Sequence, residues 1–417
     1  MNNLVTILKR LKYAKEIRDF FINQSDIFIY KKFEKIYLLY STKQDFQKYI
    51  INHLGTIGGS VDAEAYKLEP KKGYKLALKI CPLTKIEIIK IMNIQYRIWR
   101  ELHILKEIYQ LIKNHISPNL PIIYFYFICK NMKKSDYENP NIKKIYNNNH
   151  IRNDIKDTIT SENETKALLL DKMIKRKDYG TNSLCIVNEL CDTTIKDLLM
   201  NNKLIDKIDD TIFQSFIFQI ISGIYTCVKH GNIAHFDLHG GNILISYVIP
   251  DKHWHYNINN KDYYIYNYGY ILKIWDFGRS YIIGKDTDHI IITQLKAQMN
   301  RFMEQLFIED PKLKEDMYKI LNTDNLHLIC FCFDLWRIVS YILSKIQKND
   351  FLLYKFTNTI KLLEKIKQKC LYNWIYALVN RNINNTLDNF MDYLLDKYFK
   401  KYTTQQSNII NSIIYKS

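Results

Sequence analysis

The chain has 417 residues, 47% hydrophobic and 25% charged, which excludes a disordered polymer and leaves room for two lobes or two modest domains with an ample core. Its formal net charge of +17 invites a phosphate-rich partner. The lysines, however, are scattered among 43 acidic residues, the pattern of a solvated basic surface, and no motif for reading nucleic acid is visible.

Eight cysteines (81, 129, 185, 191, 227, 330, 332 and 370) form no C-x-x-C pair. With no secretory apolar region at the N-terminus, they point to reduced thiols, no zinc site and a cytoplasmic compartment. The longest apolar run is taken as Leu120 to Cys129, too short to span a bilayer as a helix, so no membrane partner is expected. Residues 1–50, rich in Lys and aromatics, read as a helical extension. From Leu54 to Ile80 the pattern becomes turn and strand, with the turn PKKG and the alternation Leu76, Leu78, Ile80 against Ala77 and Lys79. Residues 85–113 read as one long helix, and LPIIYFYFIC (120–129) and SLCIVNEL (183–190) as buried strands. Between them, about 131–182 is polar and Asn/Lys-rich, the composition of a surface insertion. Further on, Phe213, Phe216, Ile217, Ile220, Ile221, Ile224 and Val228 mark one helical stripe that stops at Gly231 as a C-terminal cap. A strand-rich part over 51–191 and a helix-rich part over 192–417 define an α+β fold of two lobes.

Four groups of residues carry chemistry. In GNIAHFDLHGGNILIS, His235 and Asp237 form an H-x-D with Asn242 five residues past the Asp; ILKIWDFGR then brings Asp276, Phe277 and Gly278. Lys79 lies in LALKI, where the plain reading is an exposed lysine in a Lys-rich chain. What singles it out is the next helix: Ile94, Ile98, Glu101, Leu105, Ile108 and Ile112 step by four and three along one face. A carboxylate inside an apolar stripe needs a cationic partner, since an unpaired buried charge costs several kcal/mol. CFCFDLWRIVSYIL (330–343) is apolar nearly all round, as a fully buried helix must be.

The H-x-D…N set followed by Asp-Phe-Gly resembles the catalytic and magnesium-binding loops of the protein-kinase family, over about 54–345. The resemblance implies a two-lobed protein-kinase-like fold, with a small strand-rich N-lobe and a larger helical C-lobe, that uses ATP and Mg²⁺ to phosphorylate protein serine or threonine. It implies that Asp237 orients the acceptor hydroxyl, that Asn242 and Asp276 hold Mg²⁺, and that His235, Phe277 and Gly278 are structural. LALKI resembles the family's V-A-I-K strand and RELHIL its R-E-I-x-x-L, so Lys79 would reach the phosphates, paired to Glu101, with Ala77 leaving room for adenine. The family's three loop glycines fall on Gly58, Ser60 and Ala63, only the first of them a glycine. Glu189 and Cys191 match the hinge whose backbone binds adenine, which puts Asn188 at the gatekeeper position. Asp334 would receive hydrogen bonds from the catalytic-loop backbone. In class the chain looks like divergent serine/threonine kinases encoded by large DNA viruses.

The departures from that family leave alternatives open. Phe236 replaces the Arg of H-R-D, and His239 stands where Ser/Thr kinases have a Lys, as in the D-L-H-x-x-N of small-molecule kinases. No A-P-E is found after Asp-Phe-Gly, with Glu304 and Glu309 the nearest stand-ins, and residues 247–270 lengthen the connection to Asp276. A kinase of aminoglycoside or choline type, a pseudokinase acting as a binding module, and a basic nucleic-acid-binding protein are the competing expectations.

Overall fold

The structure, a computed structural model, describes residues 6–22, 29–33, 36–42, 50–59, 64–70, 74–130, 179–284, 326–379, 386–404 and 415–416. The architecture is mixed α and β. The chain forms two compact units, one of Met1–Arg10, His103–Pro121 and Cys191–Ser417, the other of Leu11–Leu102 and Ile122–Leu190.

The second unit is built on a seven-stranded sheet. Its strands are β1 (Ile29–Phe33), β2 (Ile36–Thr42), β3 (Ile50–Gly59), β4 (Glu64–Pro70), β5 (Leu76–Thr84), β6 (Ile123–Lys130) and β7 (Tyr179–Glu189), in the order β1-β2-β6-β7-β5-β4-β3. All neighbours are antiparallel except β2 and β6. Here the helical expectation for residues 1–50 is corrected: among the described residues helix α1 covers Ile7–Ile22, while Ile29–Phe33 and Ile36–Thr42 are two paired strands. Their Ile, Tyr and Phe content suits a pleated surface better than a helix. The single helix expected over 85–113 is also corrected. A capping box of Thr84 and Glu87 starts the short α2 (Lys85–Ile89), the chain then turns through Met92 at φ 64°, and α3 (Arg97–Lys113) follows. Leu76 through Ile80 are buried on both faces of β5, so the alternation separates two packed surfaces rather than core from solvent. The expected insertion lies outside the described residues from 131 to 178, and β7 already begins at Tyr179.

The first unit is mostly helical. Its short segments α4 (Ile195–Met200) and α5 (Asn202–Ile205) lead to α6 (Asp210–Gly231), whose apolar stripe from Phe213 to Val228 is fully buried. Asp209 caps its N-terminus through the Ile212 N–H, 2.7 Å away. At the other end it is Asn232, at φ 52°, rather than Gly231 that takes the left-handed cap. The α-helices that follow among the described residues are α7 (Leu326–Ile346), the short α8 (Asp350–Lys355), α9 (Thr357–Val379) and α10 (Leu387–Tyr398). Helices α6 and α7 are long and apolar enough to cross a membrane by length and composition, a feature the reading of 120–129 as the longest apolar run missed. Most of each is buried inside the protein.

Residues 247–270 are more than a long connection. After β8 (Thr193–Thr194), β9 (Ile233–Ala234) and β10 (Ile243–Tyr247), strands β11 (His253–Ile258) and β12 (Lys261–Tyr266) form a hairpin turning at Asn259 and Asn260, both at positive φ. Two positive φ values fit a two-residue hairpin loop, a conformation Asn tolerates. The hairpin is fixed to α10: Asn259 Nδ2 donates to Asp392 at 3.0 Å, and Lys261 pairs with Asp396 at 2.7 Å. The Tyr225 hydroxyl, from α6, donates to Asp388 at 2.7 Å.

Candidate active site

Strands β10 and β13 (Tyr270–Ile274) pair antiparallel from Ile243 opposite Ile274 to Tyr247 opposite Tyr270. Asn242, just before β10, and Trp275, just after β13, are therefore neighbours, joined by a hydrogen bond from the Trp275 N–H to the Asn242 carbonyl at 2.8 Å. That register carries Asp276 to the same end of the ribbon as Asn242. On the other side, β9 pairs with β14 (Tyr281–Ile282), so loops 235–242 and 275–280 are held at both ends. Between them the Ser280 hydroxyl donates to the His235 carbonyl at 3.2 Å, and the His235 and Phe277 rings lie 5.0 Å apart.

His235 is a structural member of the site. Its Nδ1 accepts the Asp237 N–H at 3.3 Å, so the proton sits on Nε2, which donates to the Trp275 carbonyl at 2.8 Å. Burial pushes the imidazole down to about 4, which keeps it neutral. Asp334, on α7, takes the N–H of His235 on one oxygen at 2.7 Å and that of Phe236 on the other at 2.8 Å. Burial raises its carboxyl to about 7, although those two N–H groups and Arg337 pull the other way. Phe236 needs such support because it sits at φ 60°, a backbone region that costs a bulky residue about 1–3 kcal/mol. Its ring packs 5.4 Å from Phe333 and 5.8 Å from Tyr281.

The Asp237 carboxylate is the only acidic group in this loop, and its side chain is 16% exposed. Arg337 donates to one oxygen at 2.8 Å, and Arg279 lies 3.6 Å from the other. Asn242 turns its Nδ2 inward to the Asp237 carbonyl at 2.8 Å, which leaves its amide oxygen as the hard donor. Asp276 brings a second oxygen-bearing side chain to this end of the ribbon, and oxygen donors of this kind are the type a hard divalent cation such as Mg²⁺ takes. Among the described residues no three of His, Cys, Asp and Glu cluster; two protein donors, with water and phosphate completing the shell, is the usual way Mg²⁺ is held. His239, in place of a lysine, accepts the Gly241 N–H on Nδ1 at 3.1 Å and is held below its usual range by burial. It shapes the turn rather than adding a fixed charge.

In the other unit Lys79, on β5, and Glu101, on α3, form an ion pair of 2.5 Å, with side chains 11% and 5% exposed. Of the remaining expected nucleotide-binding positions, Gly58, Ala77 and Glu189 lie on the same sheet. Gly58 lies in β3 near the β3–β4 connection, while Ser60 and Ala63, in that connection, are outside the described residues. Ala77 is buried opposite Asn188 in the β5–β7 ladder. Glu189 ends β7, its N–H donating to the Ile122 carbonyl at 2.9 Å. Cys191 begins the first unit's longest segment, and Lys273 Nζ lies 3.9 Å from its sulfur. Asn188 donates to the Ile186 carbonyl at 3.2 Å, while its own buried Oδ1 has no partner among the described residues. Glu304 and Glu309 lie outside the described residues.

Three supporting residues escaped the sequence reading. Arg337 is one. Asn119 and Gln219 are the others: Asn119 Nδ2 donates to the Leu272 carbonyl at 2.9 Å and to Gln219 at 3.1 Å, while Gln219 accepts the Leu272 N–H at 3.0 Å. This buried bracket fixes β13, the strand that delivers Asp276. The only available signal was a pair of amides inside apolar runs, which asks for partners without naming them.

No protein-family model matches the chain. It is 24% identical over 193 residues to an uncharacterized protein of African swine fever virus, strain Badajoz, a match covering 41% of this chain and 26% of that protein. An uncharacterized protein of Acanthamoeba polyphaga mimivirus is 25% identical over 219 residues, covering 43% of this chain and 28% of the relative. The matches thus span about a quarter of the length of these relatives.

Proposed function

We propose that the chain is a divergent ATP- and Mg²⁺-dependent protein kinase of the two-lobed kinase-like fold, acting on serine or threonine hydroxyls. The strand-rich unit would be its small lobe and the helix-rich unit its large lobe. The observation that carries this reading is the orientation of Asn242. Its amide nitrogen is spent on the Asp237 carbonyl, so its oxygen is left beside the loop that presents Asp276. That is a metal-holding pair next to one acceptor-orienting carboxylate, the minimum that phosphoryl transfer asks of a protein.

In this reading Asn242 and Asp276 hold the ion, which supplies charge neutralisation for the transferred group. Asp237 aligns the acceptor hydroxyl and receives its proton. Lys79, kept in place by Glu101, binds nucleotide phosphate. A second reading, transfer to a small-molecule hydroxyl, is favoured by His239 in D-L-H-G-G-N, since no lysine stands there to steady the phosphoryl group. Incubation with labelled ATP and Mg²⁺, alone, with generic protein substrates and with aminoglycosides or choline, separates the two. An Asp237→Asn control removes background. Label on protein supports the first reading, label on small molecules the second, and nucleotide binding without transfer to any acceptor would leave a pseudokinase.

A further inference from the structure

The catalytic-loop segment GNIAHFDLHGGNILIS contains no lysine or arginine, yet its Asp237 is not without a cation. Arg337 comes from α7, 100 residues later in the chain, and makes a two-pronged contact. Nη1 donates to the Phe236 carbonyl and Nη2 to Asp237 Oδ1, both at 2.8 Å. Arg337 lies three residues past Asp334, so the two share a face of α7. That one face grips the H-x-D turn throughout: Asp334 takes the N–H groups of His235 and Phe236, and Arg337 takes the next carbonyl and the next carboxylate. The remainder of α7 from Leu326 to Leu335 is almost wholly apolar and buried, so an arginine on it calls for a specific partner.

Arg279 is a weaker claimant for the same role. It lies 3.6 Å from Asp237 Oδ2 with its side chain 65% exposed, whereas Arg337 is 28% exposed and also bonded to backbone. Exposed pairs contribute little, and a guanidinium fork fixed at two points loses little further freedom. His239 adds no fixed charge.

We infer that Arg337 is the positioning residue of the reaction, a cation supplied by α7 in place of one within the catalytic loop; this rests on the kinase reading above. It anchors Oδ1 and leaves Oδ2 to the acceptor. In the step it serves, the acceptor oxygen bonds the γ-phosphorus while its proton passes to Asp237 Oδ2. The bond from phosphorus to the leaving diphosphate oxygen breaks, and the diphosphate keeps the electron pair.

The test compares wild type with Arg337→Lys, Arg337→Met and Arg337→Ala, measuring kcat and KM for ATP with and without added guanidinium. Met and Ala should lower kcat by about 10- to 100-fold, the usual effect of losing a residue that orients a reacting group, with KM for ATP within about twofold. Lys, which keeps a cation without the two-pronged fork, should retain more of kcat than Met does. Added guanidinium should restore part of the activity of Ala. Unchanged kcat in Met, or a loss that neither Lys nor added guanidinium relieves, overturns the inference. If Met and Ala fail to melt cooperatively, the Lys variant decides: a reduced kcat with KM for ATP unchanged supports the role, and an undiminished kcat, or a loss that kcat and KM share, refutes it. Wild type that binds ATP and phosphorylates nothing defeats the kinase reading itself, and with it this inference, before any variant is compared.

Discussion

Lys79 and Glu101 are paired at 2.5 Å on adjoining elements of one unit, both nearly shut off from water. Breaking a buried pair leaves an uncompensated charge, which typically costs about 3–5 kcal/mol, whereas removing both partners together is far milder. Lys79→Met and Glu101→Leu should therefore each lower the urea midpoint strongly, and the double variant should recover much of the loss. Under the kinase reading the double variant stays inactive despite its recovered stability. Activity returning along with stability would show that the pair is only architectural.

The metal donors and the acceptor carboxylate should separate in their effects. Asp276→Ala should abolish Mg²⁺-dependent nucleotide binding along with turnover. Asp237→Ala should leave ATP binding near normal and cut turnover by about 10²–10⁴-fold, the range for losing a general base. Calorimetric titration of ATP with and without Mg²⁺ reads the first, and single-turnover transfer the second. Equal loss of binding in both variants would count against the assigned roles.

Much of this arrangement is legible in the sequence where one residue breaks a pattern. Glu101 interrupts an apolar stripe and Asp334 an apolar helix, and each asks for a partner. Arg337 interrupts the same helix, but its partners lie in a loop 100 residues away that no periodicity links to it. The β-strands at 29–42 were hidden by lysines that obscure alternation. The break between α2 and α3 was masked by Ile91 and Ile94, which carry the apolar pattern across a turn that Met92 makes at positive φ. The hairpin at 253–266 leaves a trace, an alternating run on either side of Asn-Asn, but its many tyrosines do not stand out in a chain with 32 of them.

Two buried titrations in the H-x-D turn should oppose each other. His235 has its folded pKa lowered to about 4, so between there and its ordinary value of about 6.5 only the unfolded chain holds that proton, and its contribution to stability is lost as pH falls. Asp334 has its folded pKa raised to about 7, so its contribution is present in acid and lost as pH rises from about 4 to about 7. Between about pH 4 and 6.5 the two slopes cancel, at up to about 1.4 kcal/mol per pH unit each. Relative to wild type, His235→Gln should gain stability as pH falls through that window, and Asp334→Asn should lose it. Urea unfolding at half-unit pH steps checks both signs, and parallel curves for all three proteins would refute the coupling.

The two glycines before Asn242 should differ in what they tolerate. A Cβ on Gly240 would stand 2.4 Å from Tyr341 Cε1 and 3.0 Å from the Lys196 backbone nitrogen, while one on Gly241 would meet only the edge of the His239 ring at 3.0 Å. A tyrosine ring packed on α7 and a backbone nitrogen cannot step aside cheaply, but an imidazole can rotate. Gly240→Ala should therefore cost about 1–3 kcal/mol, as overpacking does, and by shifting the turn it should also displace Asn242. Gly241→Ala should cost less than half as much. Because the clash is chiefly with the Tyr341 ring, Tyr341→Leu placed on Gly240→Ala should return part of both stability and Mg²⁺-dependent nucleotide affinity, a coupling that a double-mutant cycle reads directly. Additive losses in that cycle would mean that the Lys196 backbone, and not Tyr341, sets the requirement for glycine at 240.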